Sequence, residues 1–180
     1  WQTHYQLTLS LHDMAAEVAY LGGDFTQMEE LIAVVLKKAN TLLDKVKVYE
    51  VKIQAWIAQN QPVEAVKVVL NVVELLGIKF PKKPTTPYIL LSFLATKAAY
   101  LGKPIDSLYD IPEMTSAPKA VTTRLLSKAL TAAYIGSPQL LPLLIFKKVN
   151  LYLKYGNNTW SSLTYAWYGL ILCGPFGDIP

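Results

Sequence analysis

The sequence predicts an all-α fold, built as a stack of antiparallel helix hairpins. Apolar residues recur at helical spacing in one segment after another, Gly or Pro separates these segments, and no segment shows the alternation of a half-buried strand. With 52% apolar and 17% charged residues in 180 positions, the chain has enough apolar surface for one continuous core. We therefore expect residues 1–180 to form a single helical domain of about eight helices.

The clearest predicted hairpin lies near the start of the chain. A first helix over residues 2–21 stops at a Gly-Gly pair, since glycine best tolerates the left-handed conformation that often ends a helix. Asp24 then supplies the N-cap of a second helix that extends to residue 39, and Gln27 stands at the capping-box position. The larger apolar residues of the first helix share one side and are Leu11, Met14, Ala15, Val18 and Leu21.

A second predicted hairpin repeats this pattern. Thr41 caps a third helix, and Pro62 begins a fourth helix that ends before Gly77. The apolar stripe of the third helix consists of Leu42, Val46, Tyr49, Ile53 and Trp56. Trp56 is expected to be buried between the second, third and fourth helices. The turn sequence recurs after 37 residues, close to the period of about 34 in tetratricopeptide units. Residues 1–77 are thus predicted to form two tetratricopeptide-like hairpins of an α-solenoid.

Residues 78–180 are predicted to form further hairpins of irregular length. Prolines favour an extended connector over residues 78–86 and a loop over residues 102–117 that holds one short turn near residues 106–109. Four more helices are predicted, over residues 86–101, 116–135, 137–155 and 157–173. Near-copies of the sequence AYLG recur where these helices and the first helix end, which supports this division.

Composition excludes several classes of function. The longest apolar runs are much shorter than the about 20 residues of a membrane-spanning helix, so no membrane segment is expected. The net charge is +4, but Arg124 is the only arginine, whereas nucleic-acid sites favour arginine over lysine. We therefore expect no nucleic-acid partner. The single cysteine, Cys173, suits a reducing compartment, so the sequence predicts a cytoplasmic protein in which Cys173 is a small buried residue.

Few residues are candidates for chemistry. His4 and His12 lie eight residues apart on the first helix, whereas a metal-binding pair on a helix is spaced by about four. Asp106 and Asp110 lack the second acidic cluster of a magnesium site of the isoprenoid-synthase type. The sequence contains no nucleophile-elbow or phosphate-loop motif. We therefore predict no catalytic, metal-binding or cofactor-binding residue and no cofactor.

Two segments are candidates for binding a partner. The connector lysines, Lys79, Lys82 and Lys83, are either solvated or a docking site for an acidic neighbour. The last helix is crowded with aromatic residues, including Trp160 and Trp167, and would expose an apolar patch unless it is covered. We interpret the chain as a piece of a longer protein whose next hairpin covers this patch. In isolation, we expect the last helix either to fold back on the preceding hairpin or to pair with a second copy in a two-fold homodimer.

Four phrases cover most of the chain, namely AAEVAYLGGDFTQMEELIAVVL, LLDKVKVYEVKIQAWIAQNQPVEAVKVVLNVVELLGIKFP, IDSLYDIPEMT and VNLYLKYGNNTWSSLTYAWYGLILCGPFGDI. They resemble the tetratricopeptide-like region of the large multidomain signalling kinases of cyanobacteria and related bacteria. In those proteins the region follows an AAA-type ATPase, in a chain with a serine/threonine kinase, and precedes GAF sensor and histidine-kinase modules. The resemblance implies that the catalytic motifs lie outside this chain.

These observations together predict a right-handed helical stack without catalytic activity. The resemblance implies a protein-interaction and regulatory scaffold that relays between the ATPase and the sensor and histidine-kinase modules. Its partners would be other domains of the same polypeptide or a separate protein. The alternative is a small-molecule sensor with an aromatic pocket between helix hairpins.

Overall fold

The computed structural model describes residues 1, 3–81, 83–102 and 104–174, and every element of regular secondary structure in this part of the chain is a helix. Its only β-type pairing is one isolated bridge between Glu113 and Asn157. The α-helices are α1 (Tyr5–Leu21), α2 (Phe25–Lys38), α3 (Val46–Ala58), α4 (Pro62–Leu75), α5 (Thr86–Tyr100), α6 (Ala117–Gly136), α7 (Leu141–Tyr155) and α8 (Ser161–Cys173). Single helical turns at Leu43–Lys45, Ile105–Leu108 and Pro138–Leu140 complete the elements. The predicted all-α class is confirmed.

Local capping determines where the first helices begin. The carboxylate of Asp24 accepts a hydrogen bond of 2.9 Å from the backbone N–H of Gln27, as the sequence predicts. Thr41 and Asp44 each accept a hydrogen bond from the backbone N–H of the other, which starts the turn before α3. The caps predicted for two later helices are not found. Ser116 makes no side-chain capping bond, and α8 begins at Ser161 rather than at the Asn-Asn pair of residues 157–158.

The helices pack in a sequential order from which α5 departs. Helix α1 packs on α2 and α3, α3 packs on α4 and α6, α4 also packs on α6, and α7 lies between α6 and α8. This order of contacts is that of three hairpins, α1/α2, α3/α4 and α6/α7, packed one after another, with α8 packed on the last of them. Helix α5 instead packs against α7, because the connector before it and the long loop after it carry it past α6. A regular right-handed solenoid stays a prediction.

Helix α3 contributes to two separate cores. The N-terminal core joins α1, α2 and α3, and it contains Met28, Ile32 and Val35 of α2. The C-terminal core joins α3, α4, α6 and α7. Val48 and Val51, outside the predicted stripe of α3, are buried in the N-terminal core. The prediction that Trp56 is buried between the second, third and fourth helices is therefore wrong. Its side chain is half-buried and packs on the C-terminal core, because α3 has an apolar face on each side.

Ion pairs connect α3 to each neighbouring hairpin. Lys47 pairs with Glu17 of α1 at 2.8 Å, and Lys52 pairs with Glu29 of α2 at 2.6 Å. On the opposite side, the carboxylate of the largely buried Glu50 binds Nε of Arg124 on α6 at 2.7 Å. The two more exposed pairs, Lys47–Glu17 and Lys52–Glu29, contribute little stability, so their main effect is to favour one alignment of the helices. The single arginine is thus engaged within the fold.

A set of hydrogen bonds to Asn157, which we call the clasp, holds the long loop before α6 against the end of α7. The backbone N–H of Asn157 donates to the carbonyl of Pro112, and the carbonyl of Asn157 accepts from the N–H of Met114. The side-chain amide of Asn157 donates to the carbonyl of Leu108 at 2.8 Å, while its oxygen accepts from the hydroxyl of Tyr165. One asparagine therefore joins the loop, the end of α7 and the face of α8.

Candidate interaction surfaces

The outer side of α1 is an exposed apolar stripe. Small residues on the inner side, such as Ala16 and Ala19, are buried and let α1 approach its neighbours closely. The larger side chains therefore face outward, each between 56% and 74% exposed, and they are Leu7, Leu11, Met14, Val18 and Leu21. Four of them belong to the side that the sequence analysis singled out. Monomeric proteins rarely leave such a contiguous apolar surface without a function. We call these five residues the α1 stripe.

A second exposed apolar patch lies at the other end of the helix order. Trp160, just before α8, and Leu163 and Leu170 of α8 are exposed, and their spacing puts them on the same side as Trp167. The ring of Trp167 contacts that of Tyr134 at a centroid distance of 6.1 Å, which extends this surface onto α6. We call Trp160, Leu163, Leu170 and Tyr134 the α8 patch. Cys173 is also exposed, contrary to the predicted burial, because α8 has no further helix packed over its end in the described chain.

Helix α5 carries a third apolar side that faces outward. Leu90, Leu91 and Leu94 remain exposed, whereas Phe93 and Thr96 are buried on the side that packs on α7. A sequence pattern of this kind does not indicate which side is buried. This surface flanks the stack, whereas the α1 stripe and the α8 patch belong to its first and last helices.

A small open cavity of about 170 Å³ lies between the connector, α5 and α7. It is lined by Lys79, Phe80, Tyr88, Ser92, Ala95, Leu143, Phe146, Lys147 and Asn150. Two lysines and no acidic residue line it, so it suits a small anionic group better than a cation. Of the predicted basic connector, Lys79 thus lines a cavity, Lys83 lies on the surface, and Lys82 falls outside the described residues.

The buried charge in the C-terminal part is Lys148. Its side chain is 0% exposed, and its Nζ donates a hydrogen bond of 2.6 Å to Oγ of Ser127, which in turn donates to the carbonyl of Thr123. Burial lowers the pKa of Lys148 to about 7. Nearby, burial raises the pKa of Tyr152, whose hydroxyl has no well-aligned hydrogen-bond partner among the described residues.

The Ser127–Lys148 pair has the residue types of a nucleophile and its base, but its geometry is that of a core contact. The serine proton is directed to a backbone carbonyl, and the lysine is the donor rather than the acceptor in the pair. Neither Ser127 nor Lys148 lines the cavity between the connector, α5 and α7. Neither residue lines a second cavity, which lies between α4, the connector and the turn after α6. This arrangement favours structure over catalysis.

A further buried polar group lies between α1 and α3. Burial raises the pKa of Asp13 to about 6, although Lys47 and His12 oppose that rise, and Oδ1 of Asp13 has no hydrogen-bond partner in the described chain. Beside it, the hydroxyl of Tyr5 donates to Asp44 at 2.8 Å. The pair Tyr5–Asp44 holds the start of α1 against the turn before α3.

We expect Asp13→Asn to stabilise the chain at pH 7. Because the pKa of Asp13 in the folded chain, about 6, exceeds its ordinary value of 3.8, stability falls as the pH rises through this interval and the penalty is complete above it. The gain from the substitution should therefore disappear below about pH 4. Urea denaturation of the unmodified chain and of Asp13→Asn, each at pH 4 and pH 7, measures this gain in stability. Asp106→Asn, at an exposed position, is the control, and an equal gain at both pH values would contradict the assignment.

The residues weighed for metal binding do not form a cluster. His12 is half-buried, with Nδ1 2.8 Å from the carbonyl of Thr8 and its ring tilted against that of Trp1 at a centroid distance of 5.0 Å, while His4 is exposed before the start of α1. Asp106 and Asp110 lie in and after the short turn at Ile105–Leu108. Within the described ranges, no three His, Cys, Asp or Glu side chains are arranged to bind a metal ion.

Comparison with known proteins finds no matching family model and no significantly similar curated protein or solved structure. The resemblance to the multidomain signalling kinases therefore stays a prediction. None of the helices in the described part of the chain combines the length and the hydropathy needed to cross a bilayer.

Proposed function

We propose that this chain is a non-catalytic docking segment of a cytoplasmic multidomain signalling protein, where it relays between an ATPase module and sensor and histidine-kinase modules. The observation that carries the docking role is the α1 stripe, five large apolar side chains on the outer side of a terminal helix. Its assignment to a signalling kinase rests on the resemblance of the sequence alone. Fold does not fix function, so the surface and its partner need a direct test.

The α1 stripe is large enough to matter for binding. Fully burying one Leu, Val or Met side chain contributes roughly 1.5–3 kcal/mol. Because each of the five is already more than a quarter buried, covering the stripe offers on the order of 5 kcal/mol. Association itself costs about 4–15 kcal/mol, so a partner must add contacts beyond the stripe to bind stably.

Binding to purified modules tests this proposal. The 180-residue chain should bind an ATPase, GAF or histidine-kinase module of the polypeptide in which it occurs, as measured by biolayer interferometry at low chain concentration. Met14→Glu places a charge in the centre of the α1 stripe and should weaken binding at least about tenfold. Leu94→Glu, on the exposed side of α5, is the matched control. Lack of binding to every module would overturn the relay, and equal loss with both variants would overturn the role of α1.

The cavity beside α5 and α7 favours a second candidate function, a sensor for a small anion with an aromatic part. Phe80, Tyr88 and Phe146 supply apolar contact, and the amines of Lys79 and Lys147 supply positive charge. Benzoate is a suitable probe, titrated while the amide signals of α5 and α7 are followed by NMR. Saturable shifts that Lys147→Gln abolishes would support the sensor. Absence of shifts at millimolar benzoate would remove it.

A further inference from the structure

We propose that the α8 patch binds the α1 stripe of a second copy, so that copies of this chain associate head to tail. This inference rests on the proposed docking role of the α1 stripe and names its partner. Both surfaces are exposed, apolar and carried by helices at opposite ends of the packing order. Each copy therefore offers one surface of each kind.

The fold already contains a contact of the kind that this interface needs. Helix α1 is the first helix of its hairpin, and it packs on α3, the first helix of the next hairpin. Helix α8 follows the hairpin α6/α7 and packs on α7, as α3 packs on α2, the second helix of the hairpin before it. Packing α1 of a second copy on α8 would repeat the contact between two first helices, and it would cover both apolar surfaces at once.

Charge favours contact between unlike ends over contact between like ends. Residues 1–76 carry nine acidic and six basic residues, a net charge of −3, whereas residues 77–180 carry four acidic and eleven basic residues, a net charge of +7. Pairing α8 with α8 would bring two strongly positive halves together. Pairing α8 with α1 brings halves of opposite charge together, which favours encounter and orientation.

The symmetry of the resulting assembly differs from that of the two-fold dimer predicted from the sequence. A contact between two different surfaces leaves one of each kind free at the ends of the assembly, so it continues to grow unless it closes into a ring. The expected assembly is thus an open series of copies whose length increases with concentration, rather than a dimer.

Two variants and their mixture distinguish these arrangements. Met14→Glu blocks the α1 stripe and Leu163→Glu blocks the α8 patch, both at exposed positions. In sedimentation velocity, the unmodified chain should form species beyond the dimer, and each variant alone should remain monomeric. Mixed in equal amounts, the two variants should form a dimer and nothing larger, because only one intact pair of surfaces remains. Leu94→Glu is the matched control, since Leu94 and Leu163 are each 51% exposed, and it should assemble like the unmodified chain.

Several outcomes would overturn the proposal. Dimers of Met14→Glu alone would indicate pairing between two α8 patches, and a monomeric mixture would show that α1 does not bind α8. An unmodified chain that stays monomeric at millimolar concentration would remove self-association altogether. That last result leaves docking to other modules intact, because module binding is measured separately at low chain concentration. Circular dichroism of each variant verifies that it is folded.

Discussion

Replacing Gly156 with alanine should lower the free energy of unfolding by about 3 kcal/mol or more, from two additive causes. Gly156 has φ of 109° and ψ of 164°, a region of backbone conformation that is essentially confined to glycine. A Cβ atom there would also lie 2.6 Å from the carbonyl oxygen of Pro112 and 2.8 Å from the backbone nitrogen of Met114. Both are backbone atoms, so no side-chain rotation relieves the contact.

The effect is large because the clasp holds the opposing segment in place. The hydrogen bonds from Asn157 to Pro112 and from Met114 to Asn157, of 2.8 and 2.7 Å, must lengthen or break before the new methyl group fits. Thermal and urea denaturation measure the loss of stability. Hydrogen exchange at the amide of Met114 should become faster, which a global effect alone does not require.

Gly23→Ala separates the two causes. Gly23 also has a positive φ, 77°, but no atom lies within 4 Å of the position of an added Cβ. This variant therefore reports backbone strain alone, at about 1–2 kcal/mol. A Gly156 variant no less stable than the Gly23 variant would show that the loop at residues 104–116 moves away freely, and that the clasp is not a fixed feature of the fold.

Local signals explain why the helices could be predicted from the sequence. A helix cap such as Asp24 depends on a hydrogen bond to a residue three positions away, and Pro62 fits a first helical turn whatever lies around it. The short turn at Ile105–Leu108 was also predicted from a local signal, the prolines of the loop that contains it. The position of α5 depends instead on which surface it meets after the connector. Its buried side contains Thr96, which accepts a hydrogen bond from Asn150 of α7, while three leucines are exposed, so the apolar pattern does not identify the side that α5 buries.

The interaction surfaces show the same division between local and non-local information. The α1 pattern identifies Leu11, Met14 and Val18 as one side of a helix, but not whether that side faces a neighbour. Small residues such as Ala16 and Ala19 on the other side were the available signal for close packing. The burial of the Lys148 amine was not predicted. Lys148 lies four residues after Leu144 and four before Tyr152, on the buried side of α7, so helical spacing alone indicated its burial.

Replacing Lys148 with methionine should raise the free energy of unfolding at pH 6 by on the order of 3 kcal/mol. The pKa of the buried amine is about 7 against an ordinary 10.5, and burial is the cause. Among the described residues no carboxylate lies within salt-bridge distance to compensate. Methionine has a similar length and no polar head, and Ser127 keeps the hydrogen bond that it donates to Thr123. The loss of one hydrogen bond to Ser127 costs about 1 kcal/mol and is included in this figure.

The dependence on pH distinguishes this cause from improved packing. Between about pH 7 and pH 10.5 the unfolded chain binds the proton that the folded chain has released, so the stability of the unmodified chain rises with pH in this interval. Below about pH 7 the penalty for burying the charge is complete and constant. The advantage of Lys148→Met should therefore be greatest at pH 6 and decrease steadily toward pH 9.5, with a slope of at most about 1.4 kcal/mol per pH unit.

Urea denaturation of both proteins at several pH values from 6 to 9.5 measures this advantage. Lys154→Met, at an exposed position on the same helix, is the control and should show no comparable dependence on pH. A gain for Lys148→Met that is independent of pH would mean that methionine merely packs better than lysine. A loss of stability at pH 6 would mean that the hydrogen bond to Ser127 and the contact of the amine with the ring of Tyr152, 5.9 Å from its centroid, outweigh the cost of burying the charge.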